Sequence, residues 1–415
     1  MKDCPTKAIR IKEGKATVIE NLCIDCGECI AVCSQGAIQP LTDIWEDVKQ
    51  FDYKVAIPSP TLFGQFSMDI TPSDIVEGLL EIGFDDVYVP SVEAEMINMA
   101  IRDYLDESKG PFPLISSSCP VIVRLVQVSY PSMVEQVIPI EPPREIAGKY
   151  VKENYPKKLG LPPEKVGAIY LSPCPAKVVS IKQPAEGVES YLDLGIGISY
   201  IYNPLYSAIM KIKKEGVSDK RKESPLKSRV GLGWSIRGGQ CTSLKPSRFI
   251  SVAELPNVIK IFDDIEKGKI RGLEFLECYS CPAGCIGGPL TVDDRFVSLS
   301  KVQKLIETMD DAEVEEVKKE AEKRYQKDTY FIRQPLKARP IEKGSMDFEE
   351  QVKRMKIKDE LLNILPGIDC GLCGSPTCAT FAEDVANGDA NRDDCLFLSD
   401  ERTKRLREIY RKKQD

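Results

Sequence analysis

The chain contains fifteen cysteines and no histidine, and this constrains its chemistry more than any other feature. Without an imidazole it can form no Ser-His-Asp triad, no Cys-His nucleophile pair and no His-ligated zinc site. Its 415 residues can bury a hydrophobic core without disulfide bonds, and they allow roughly two to four domains of about 100–200 residues each. Any bound metal must therefore be held mainly by thiolates, with carboxylates as possible further ligands.

The charge pattern excludes several classes of partner. The formal net charge is −7 and no basic domain stands out, which argues against nucleic acid. No apolar run approaches the roughly 20 residues of a membrane span, and the first ten residues lack the apolar core of a secretory signal. We therefore expect a cytoplasmic protein without a membrane partner. A homo-oligomer is left open by the sequence. Structural disulfides are rare in the cytoplasm, so the clustered cysteines indicate metal ligands or catalysts.

Residues 1–42 carry a ferredoxin pattern and predict a small α+β ferredoxin-like domain. The run from Cys23 to Cys33 has the C-x2-C-x2-C-x3-C spacing, in which the fourth cysteine can bind a different cluster from the first three. The predicted ligands of one [4Fe–4S] cluster are then Cys4, Cys23, Cys26 and Cys29. Cys33 either serves a second cluster whose other ligands lie upstream of Met1, or it is a buried thiol left from a lost cluster.

Residues 43–340 alternate short apolar runs with amphipathic stretches, which is typical of an α/β domain. The predicted elements are strands at 53–57 and 87–90, helices at 73–83 and 93–105, an exposed basic loop at 211–229 and one surface helix at 301–326. Two further strands run into loops that carry Cys119 and Cys174, at the strand ends where open α/β sheets bind ligands. The proline after each cysteine is expected to keep a helix from starting early.

Residues 341–415 predict a small helical iron–sulfur domain. Four cysteines with C-x2-C-x4-C-x16-C spacing are its candidate ligands, namely Cys370, Cys373, Cys378 and Cys395. Glycines between the first three let the backbone wrap around a cubane, and the fourth returns after a helix at about 380–388. Four thiolates also suit zinc, although we favour iron–sulfur. The closing residues 399–415 predict a basic helix that contacts a partner or lies in solvent.

Three motifs in the middle region resemble those of [FeFe]-hydrogenases. SSSCP at 116–120 corresponds to the family's TSCCP, and PCPAK at 173–177 corresponds to PCxxK. ECYSCPAGCIGG at 277–288 has the form E-x-x-x-C-x-x-x-C-x-x-G-G. With the flanking cluster motifs, the resemblance covers nearly the whole chain and is to the sensory kind. It implies a two-lobed α/β hydrogenase domain between the two smaller iron–sulfur domains.

The resemblance also implies an H-cluster, which is a [4Fe–4S] cluster joined to a diiron subcluster that carries CO, cyanide and an azadithiolate. The cluster ligands would be Cys119, Cys174, Cys281 and Cys285. Cys285 would bridge to the diiron subcluster, and the ammonium of Lys177 would pair with a cyanide. The dithiolate amine would accept the proton as H2 splits, so the cofactor brings the base that a chain without histidine lacks.

Several positions depart from the high-turnover enzymes. Ser118 stands where those enzymes have a relay cysteine, and a hydroxyl stores no charge whereas a thiol of pKa about 8.5 ionises near neutral pH. The relay glutamates align with Asn98 and Ile101, and Tyr279 replaces a methionine beside the diiron site. These changes predict a slower proton path without loss of the cluster. Three nearby side chains have no assigned place in the relay, namely Glu93 and Glu95, which are out of register, and Cys278, a candidate proton carrier.

The resemblance leaves three functions open. Two of them act on H2 and protons, and the third acts on iron–sulfur clusters. In the first, which we favour, Lys177, Ser118 and Cys285 carry slow, reversible H2 oxidation, and the redox state passes to a separate signalling partner because the chain stops at Asp415. In the second, a low-turnover hydrogenase exchanges electrons with a redox partner through the N-terminal cluster. The third is an iron–sulfur assembly protein without a diiron site. Cys241 is expected to be a buried structural thiol.

Overall fold

The structure is a computed structural model that describes residues 1–185, 187, 189–215, 224–339 and 348–399. Its contacts divide the chain into two compact units. The smaller unit consists of Met1–Cys23, Glu28–Ile38 and Arg339–Asp415, and the larger one consists of Ile24–Gly27 and Gln39–Ala338. Contacts therefore group the predicted N-terminal and C-terminal domains into one unit. Of the predicted basic helix 399–415, all but the first residue lies outside the described residues.

The N-terminal elements are β1 (Ile9–Lys12), β2 (Lys15–Val18) and α1 (Glu28–Val32). The larger unit contains α2 (Trp45–Val48), β3 (Tyr53–Pro58), α3 (Pro72–Glu81), β4 (Asp86–Val87), α4 (Ser91–Glu107), β5 (Leu114–Ile115), α5 (Pro120–Ser129), α6 (Pro143–Leu159), β6 (Val166–Ser172), α7 (Pro175–Lys182), β7 (Leu194–Gly197), α8 (Ile198–Glu215), α9 (Arg229–Gly233), α10 (Gly239–Leu244), β8 (Phe249–Ala253), α11 (Leu255–Glu266), β9 (Phe275–Tyr279), α12 (Arg295–Glu307) and α13 (Asp311–Arg324). The C-terminal elements are α14 (Phe348–Ile364), α15 (Cys378–Ala386) and α16 (Leu396–Ser399).

The larger unit is built on two parallel sheets, which confirms the predicted α/β class. The first sheet has the order β4-β3-β6-β7, and the second has the order β5-β9-β8. All seven residues of β6 and all five of β9 are buried, as expected for parallel strands whose two faces are both covered. Each sheet therefore presents the carboxyl ends of its strands along one edge, where ligand-binding loops emerge.

The helices of the larger unit begin at residues that suit helix starts. In α3, Thr71 Oγ1 accepts a hydrogen bond from the backbone N–H of Asp74, and the Asp74 carboxylate accepts one from the N–H of Thr71. This capping box and Pro72 at the first helical position agree with the predicted helix at 73–83. No described helix is long and apolar enough to span a membrane.

Three local predictions differ from the structure. Residues 211–215 complete α8 instead of opening a loop, and residues 216–223 of that predicted loop lie outside the described residues. The single helix predicted at 301–326 is two helices, because Asp310 accepts hydrogen bonds from two backbone N–H groups and starts α13. The two helices also pack into the core, contrary to the predicted surface position, since Val302 and Ala321 are fully buried. The strand predicted at 87–90 is shorter, spanning Asp86–Val87.

The smaller unit joins the two ends of the chain through one buried ion pair. Arg10 on β1 donates from Nε to Asp384 Oδ2 at 2.5 Å and from Nη2 to Oδ1 at 2.8 Å, and Ser375 Oγ also donates to that carboxylate. The backbone N–H of Ile11 donates to the carbonyl of Gly374 at 2.8 Å. Strand β1 is therefore fixed to the loop that carries the C-terminal cysteines.

Candidate active site and cluster sites

The first two cysteine motifs have the same local structure in the two sheets. Cys119 follows β5 and Cys174 follows β6, as predicted, and each is the residue immediately before a helix. No helix starts before the prolines that follow them, as expected, and the helices begin at these prolines. Pro120 and Pro175 occupy the first helical position, where a missing backbone N–H costs nothing.

The third motif turns back on the second through two glycines. Cys281 and Cys285 follow β9, the neighbour of β5 in the second sheet. A Cβ on Gly288 would meet the Pro173 carbonyl oxygen at 2.4 Å, and Leu290 donates to that same carbonyl at 2.9 Å. Only a glycine lets the backbone after Cys285 approach the turn that carries Cys174 this closely.

The four thiols that the resemblance assigns to the H-cluster lie within electrostatic range of one another. Burial raises the pKa of Cys174 to about 11, and the nearby Cys285 and Cys119 contribute to this rise. Burial also raises the pKa of Cys281 well above its usual value, with Cys174, Cys119 and Cys285 adding to the effect. Iron binding would remove these protons, because a metal-bound thiol is deprotonated.

These thiols have the ligand chemistry of an iron–sulfur cluster. Among the described residues, no three His, Cys, Asp or Glu side chains are grouped so that they could hold one metal ion. A cubane instead takes one thiolate on each of four irons and therefore needs ligands spread around a larger volume. Four soft donors within electrostatic range of one another fit a [4Fe–4S] cluster.

Lys177 lies beside these cysteines, and its ammonium contacts Cys285, the predicted bridging ligand. Its Nζ lies 3.1 Å from Cys285 Sγ, and the residue is only 7% exposed. Burial alone would lower the pKa of this ammonium, but its electrostatic interactions with Cys285, Tyr170 and Cys174 raise the pKa above its usual range. The lysine therefore remains a cation, and it suits a group of opposite charge bound next to Cys285.

A cavity of about 630 Å³ adjoins this pair, and we call it the active-site cavity. Its wall includes Lys177, Cys285, Ser118, Tyr279 and Arg144. None of the described residues that line it is Asp or Glu, and its only thiol is that of Cys285. The structure therefore brings together, at one cavity, all the residues that the resemblance assigns to diiron binding and catalysis. Arg144 belongs to none of the three cysteine motifs, and no sequence pattern predicted it.

The predicted relay positions lie on α4, away from the wall of this cavity. Asn98 and Ile101 are both buried, and Asn98 Oδ1 has no hydrogen-bond partner. Glu93 accepts hydrogen bonds from Tyr88 Oη and Arg324 Nη2, and Glu95 accepts one from Ser228 Oγ. Burial raises the pKa of both glutamates. These carboxyls serve contacts within the fold, and neither lines the active-site cavity.

Tyr279 is held in place by a buried network that the sequence did not predict. Its hydroxyl donates to Glu277 Oε1 at 2.9 Å and accepts from Gln240 Nε2 at 3.3 Å. Successive residues of a strand point to opposite faces, so Tyr279 lines the cavity and Cys278 does not. Burial raises the pKa of Cys278 well above its usual value, which does not favour a proton carrier. Cys241 is buried, as expected.

The four C-terminal cysteines line a second, smaller cavity of about 320 Å³. Cys395 is buried, and burial raises the pKa of Cys373, with Cys395 and Cys370 adding to the rise. The helix predicted at 380–388 begins instead at Cys378, whose backbone N–H donates to Asp369 Oδ1 at 2.6 Å. The predicted C-terminal ligands therefore converge, and the glycine-rich loop between them lets their thiols face one space.

At the N-terminus, Cys4 and Cys29 interact. Burial raises the pKa of Cys29, and the nearby Cys4 adds to this effect. The expectation that Cys33 is a buried thiol is wrong, because its side chain is partly exposed. The Cys33 sulfur accepts a hydrogen bond from the backbone N–H of Ala37 at 3.3 Å, and this and neighbouring backbone N–H groups lower its pKa.

The segment Ile24–Gly27, in the middle of the ferredoxin motif, packs within the larger unit. Asp25 forms an ion pair with Arg124 on α5. A Cβ on Gly27 would meet Pro289 Cγ at 2.6 Å and Pro175 Cγ at 3.2 Å. The backbone next to Cys26 therefore lies against the start of α7, immediately after Cys174.

Comparisons with known proteins agree with this geometry. The family "Iron only hydrogenase large subunit, C-terminal domain" matches residues 52–245 and 206–289, which together are more than half of the chain. The 4Fe-4S binding domain family matches residues 16–39, and an Fe-S cluster family matches residues 365–397. Iron–sulfur binding by the N-terminal and C-terminal regions is thereby supported, as is the predicted family.

Individual relatives are more distant, and the chain spans little more than half, or less, of the length of the two curated ones. The chain is 25% identical over 325 residues to the NADP-reducing hydrogenase subunit HndD of Solidesulfovibrio fructosivorans, which covers 65% of this chain and 56% of that protein. It is 27% identical over 215 residues to iron hydrogenase 1 of Clostridium pasteurianum, which covers 50% of this chain and 36% of that protein. A solved variant of the [FeFe]-hydrogenase HydA1 from Chlamydomonas reinhardtii is 16% identical with a TM-score of 0.48, over 72% of this chain and 94% of that one. The family match, which spans all three cysteine motifs, shows that the chain belongs to the iron-only hydrogenase large-subunit family.

Proposed function

We propose that this chain is a sensory [FeFe]-hydrogenase, which binds H2 at an H-cluster, oxidises it slowly and reversibly, and passes its redox state to a protein partner. The observation that carries the proposal is the wall of the active-site cavity. Lys177 and Cys285 meet there, whereas no described carboxylate and no second thiol lines it. The site thus has the means to hold an anionic diiron group but lacks an ionisable relay next to it.

The residues present fit the cofactor in three places. Cys119, Cys174, Cys281 and Cys285 would hold its [4Fe–4S] part, Cys285 would bridge to the diiron part, and Lys177 would pair with a cyanide. When bound, the cofactor supplies the iron that polarises H2 and the amine that accepts the proton. Lys177 keeps its positive charge in a buried position, where Coulomb interactions are strong.

Slow turnover follows from Ser118 on the cavity wall. A serine hydroxyl can pass a proton along a chain of hydrogen bonds, but at neutral pH it cannot hold the charge between two transfers. General acid–base groups typically contribute about 10²–10⁴-fold to an enzymatic rate, so the loss of one relay group is enough to separate a sensor from a metabolic enzyme.

Electron exchange is the other half of the proposed function. The backbone next to Cys26 lies against the start of α7, one residue after Cys174. The N-terminal cluster, whose predicted ligands include Cys26, is the proposed route for electrons to and from the H-cluster. The receiving protein is either a signalling partner or, in the alternative function, the redox partner of a low-turnover hydrogenase.

The test is the H2 oxidation rate of the matured protein, measured beside a metabolic [FeFe]-hydrogenase matured in the same way. We expect reversible, H2-dependent reduction of the clusters, with a turnover at least about 10²-fold below that of the metabolic enzyme. A rate equal to that of the metabolic enzyme would contradict the sensory role. An iron–sulfur assembly protein would show no H2-dependent reduction at all.

A further inference from the structure

Arg144 is the second cation on the wall of the active-site cavity. Its contacts within the fold leave part of its hydrogen-bonding capacity unused. Its side chain is 10% exposed. Its Nη2 donates to Ser180 Oγ at 3.2 Å, but its Nε is buried without a hydrogen-bond partner. A buried, unpaired donor on a charged group is costly, so it indicates a ligand that the site is built to receive.

The neighbouring carboxylate forms an ion pair with Arg144 but leaves its Nε without a hydrogen bond. Glu145 Oε1 lies 3.7 Å from Arg144 Nε, which is beyond hydrogen-bond distance. The other oxygen of Glu145 accepts hydrogen bonds from Ser190 Oγ at 2.7 Å and from the backbone N–H of Tyr191 at 3.1 Å. Glu145 therefore holds the segment that carries Ser190, and Arg144 remains available to a group in the cavity.

The position of Arg144 in its helix also points to an anion. It is the second residue of α6, a helix of 17 residues, and the two prolines before it line the same cavity. The N-terminus of a helix carries partial positive charge and disfavours a cation, so Arg144 gains nothing there from the helix itself. Both the helix N-terminus and the guanidinium favour negative charge in the cavity.

We infer that Arg144 is a second cationic anchor, which donates a hydrogen bond to an anionic ligand of the diiron group while Lys177 pairs with another. This inference rests on the proposed function, because it takes the cavity to hold that group. A cavity with two largely buried cations and no carboxylate among its described lining residues favours a ligand with more than one negative charge. A diiron unit with two cyanides has that chemistry.

The test uses two synthetic diiron dithiolate complexes, a dianion that carries CO and two cyanides and a neutral analogue that carries CO only. The full-length protein, with its [4Fe–4S] clusters in place, is titrated with each complex, and uptake is followed by infrared spectroscopy. The variants are Arg144→Gln, Arg144→Lys and the matched control Arg333→Gln. Arg333 lines an adjacent cavity of about 580 Å³ that also contacts Arg144, but it does not line the active-site cavity.

We expect Arg144→Gln to lower the affinity for the dianion at least about tenfold and to shift the cyanide bands of the bound complex. Arg144→Lys should recover part of both effects. Binding of the neutral complex should be unchanged in Arg144→Gln, and Arg333→Gln should match the wild type with both complexes. Equal uptake and identical cyanide bands in Arg144→Gln would overturn the inference and leave the proposed function intact, as would an equal loss of both complexes. If the wild type took up no dianion, both the proposed function and the inference would fail.

Discussion

At the scale of single residues, the chemistry depends on which side chains face the active-site cavity. Lys177 and Cys285 meet at 3.1 Å, and Ser118 and Tyr279 share the wall with them. The ligand cysteines and Lys177 were predicted from their motifs, because each motif ties a residue type to one spacing. Arg144 was not predicted, because it enters the cavity through the packing of α6, which no local spacing specifies.

The first residue-scale prediction concerns Ser118. Ser118→Cys should raise the H2 oxidation rate of the matured protein, because a thiol can hold and release a proton near neutral pH. The matched control is Ser117→Cys, since Ser117 donates to the carbonyl of Ile140 at 2.9 Å and does not line the active-site cavity. An unchanged rate in Ser118→Cys would mean that Ser118 does not limit proton transfer.

A second prediction concerns Gly288, the second of the two glycines that end the third cysteine motif. Gly288→Ala should destabilise the protein by about 1–3 kcal/mol, because the new Cβ would lie 2.4 Å from the Pro173 carbonyl oxygen and force the two motifs apart. Urea unfolding of the protein measures this loss. Gly233→Ala is the control, because its Cβ would meet nothing within 4 Å. Equal stability of both variants would show that the close approach of the two motifs is not required.

At the scale of helices and strands, apolar patterns predicted the α/β core well, and capping decided where they failed. The strand at 53–57 and the helices at 73–83 and 93–105 match β3, α3 and α4, because each has a strong pattern of its own. The division of 301–326 into two helices was missed because mixed charges continue across the break at Asp310. The pairing of β5 with β9 joins residues far apart in sequence, which no local pattern predicts.

The contact between α4 and α13 gives a pH-dependent prediction. Burial raises the folded-state pKa of Glu93 above about 4.3, its ordinary value, although Tyr88 and Arg324 oppose the rise. Between the ordinary and the raised pKa, the folded state binds more protons than the unfolded state, so the Glu93 contribution to stability falls as pH rises. Stability of the wild type relative to Glu93→Gln should therefore decrease with rising pH above about 4.3.

Urea unfolding of both proteins across that pH range checks this sign. Glu46→Gln is the matched control, because Glu46 lies in an exposed ion pair with Lys49 and its loss should leave the pH profile unchanged. If the difference between the wild type and Glu93→Gln grew with pH, Glu93 would instead be stabilised as a carboxylate by Arg324.

At the scale of the whole molecule, the two ends of the chain fold as one unit although 336 residues, from 34 to 369, separate their cysteine motifs. The Arg10–Asp384 pair is buried, with side-chain exposures of 6% and 9%. The sequence did not predict this grouping, because two charged residues 374 positions apart carry no pattern that pairs them. The unit brings the N-terminal ferredoxin strands and the C-terminal cysteine loop into a shared fold.

Breaking that pair should therefore affect both ends of the chain. Arg10→Met leaves a buried carboxylate without its partner and should cost about 3–5 kcal/mol in the smaller unit, whereas Arg10→Met combined with Asp384→Leu should recover most of the loss. Iron content and chemical denaturation measure the effect. Lys358→Ala, which removes an exposed pair with Glu383, is the control and should behave as the wild type. Full cluster content and stability in Arg10→Met would contradict the account of a shared unit.

We propose above all that the active-site cavity holds a diiron group next to Cys285 and Lys177. The most direct test is the infrared spectrum of the full-length protein after maturation with the hydrogenase assembly machinery. We predict bands from CO and cyanide bound to iron in the wild type, and their loss in Cys285→Ala. A matured wild-type protein that carries its [4Fe–4S] clusters but shows neither set of bands would contradict the claim.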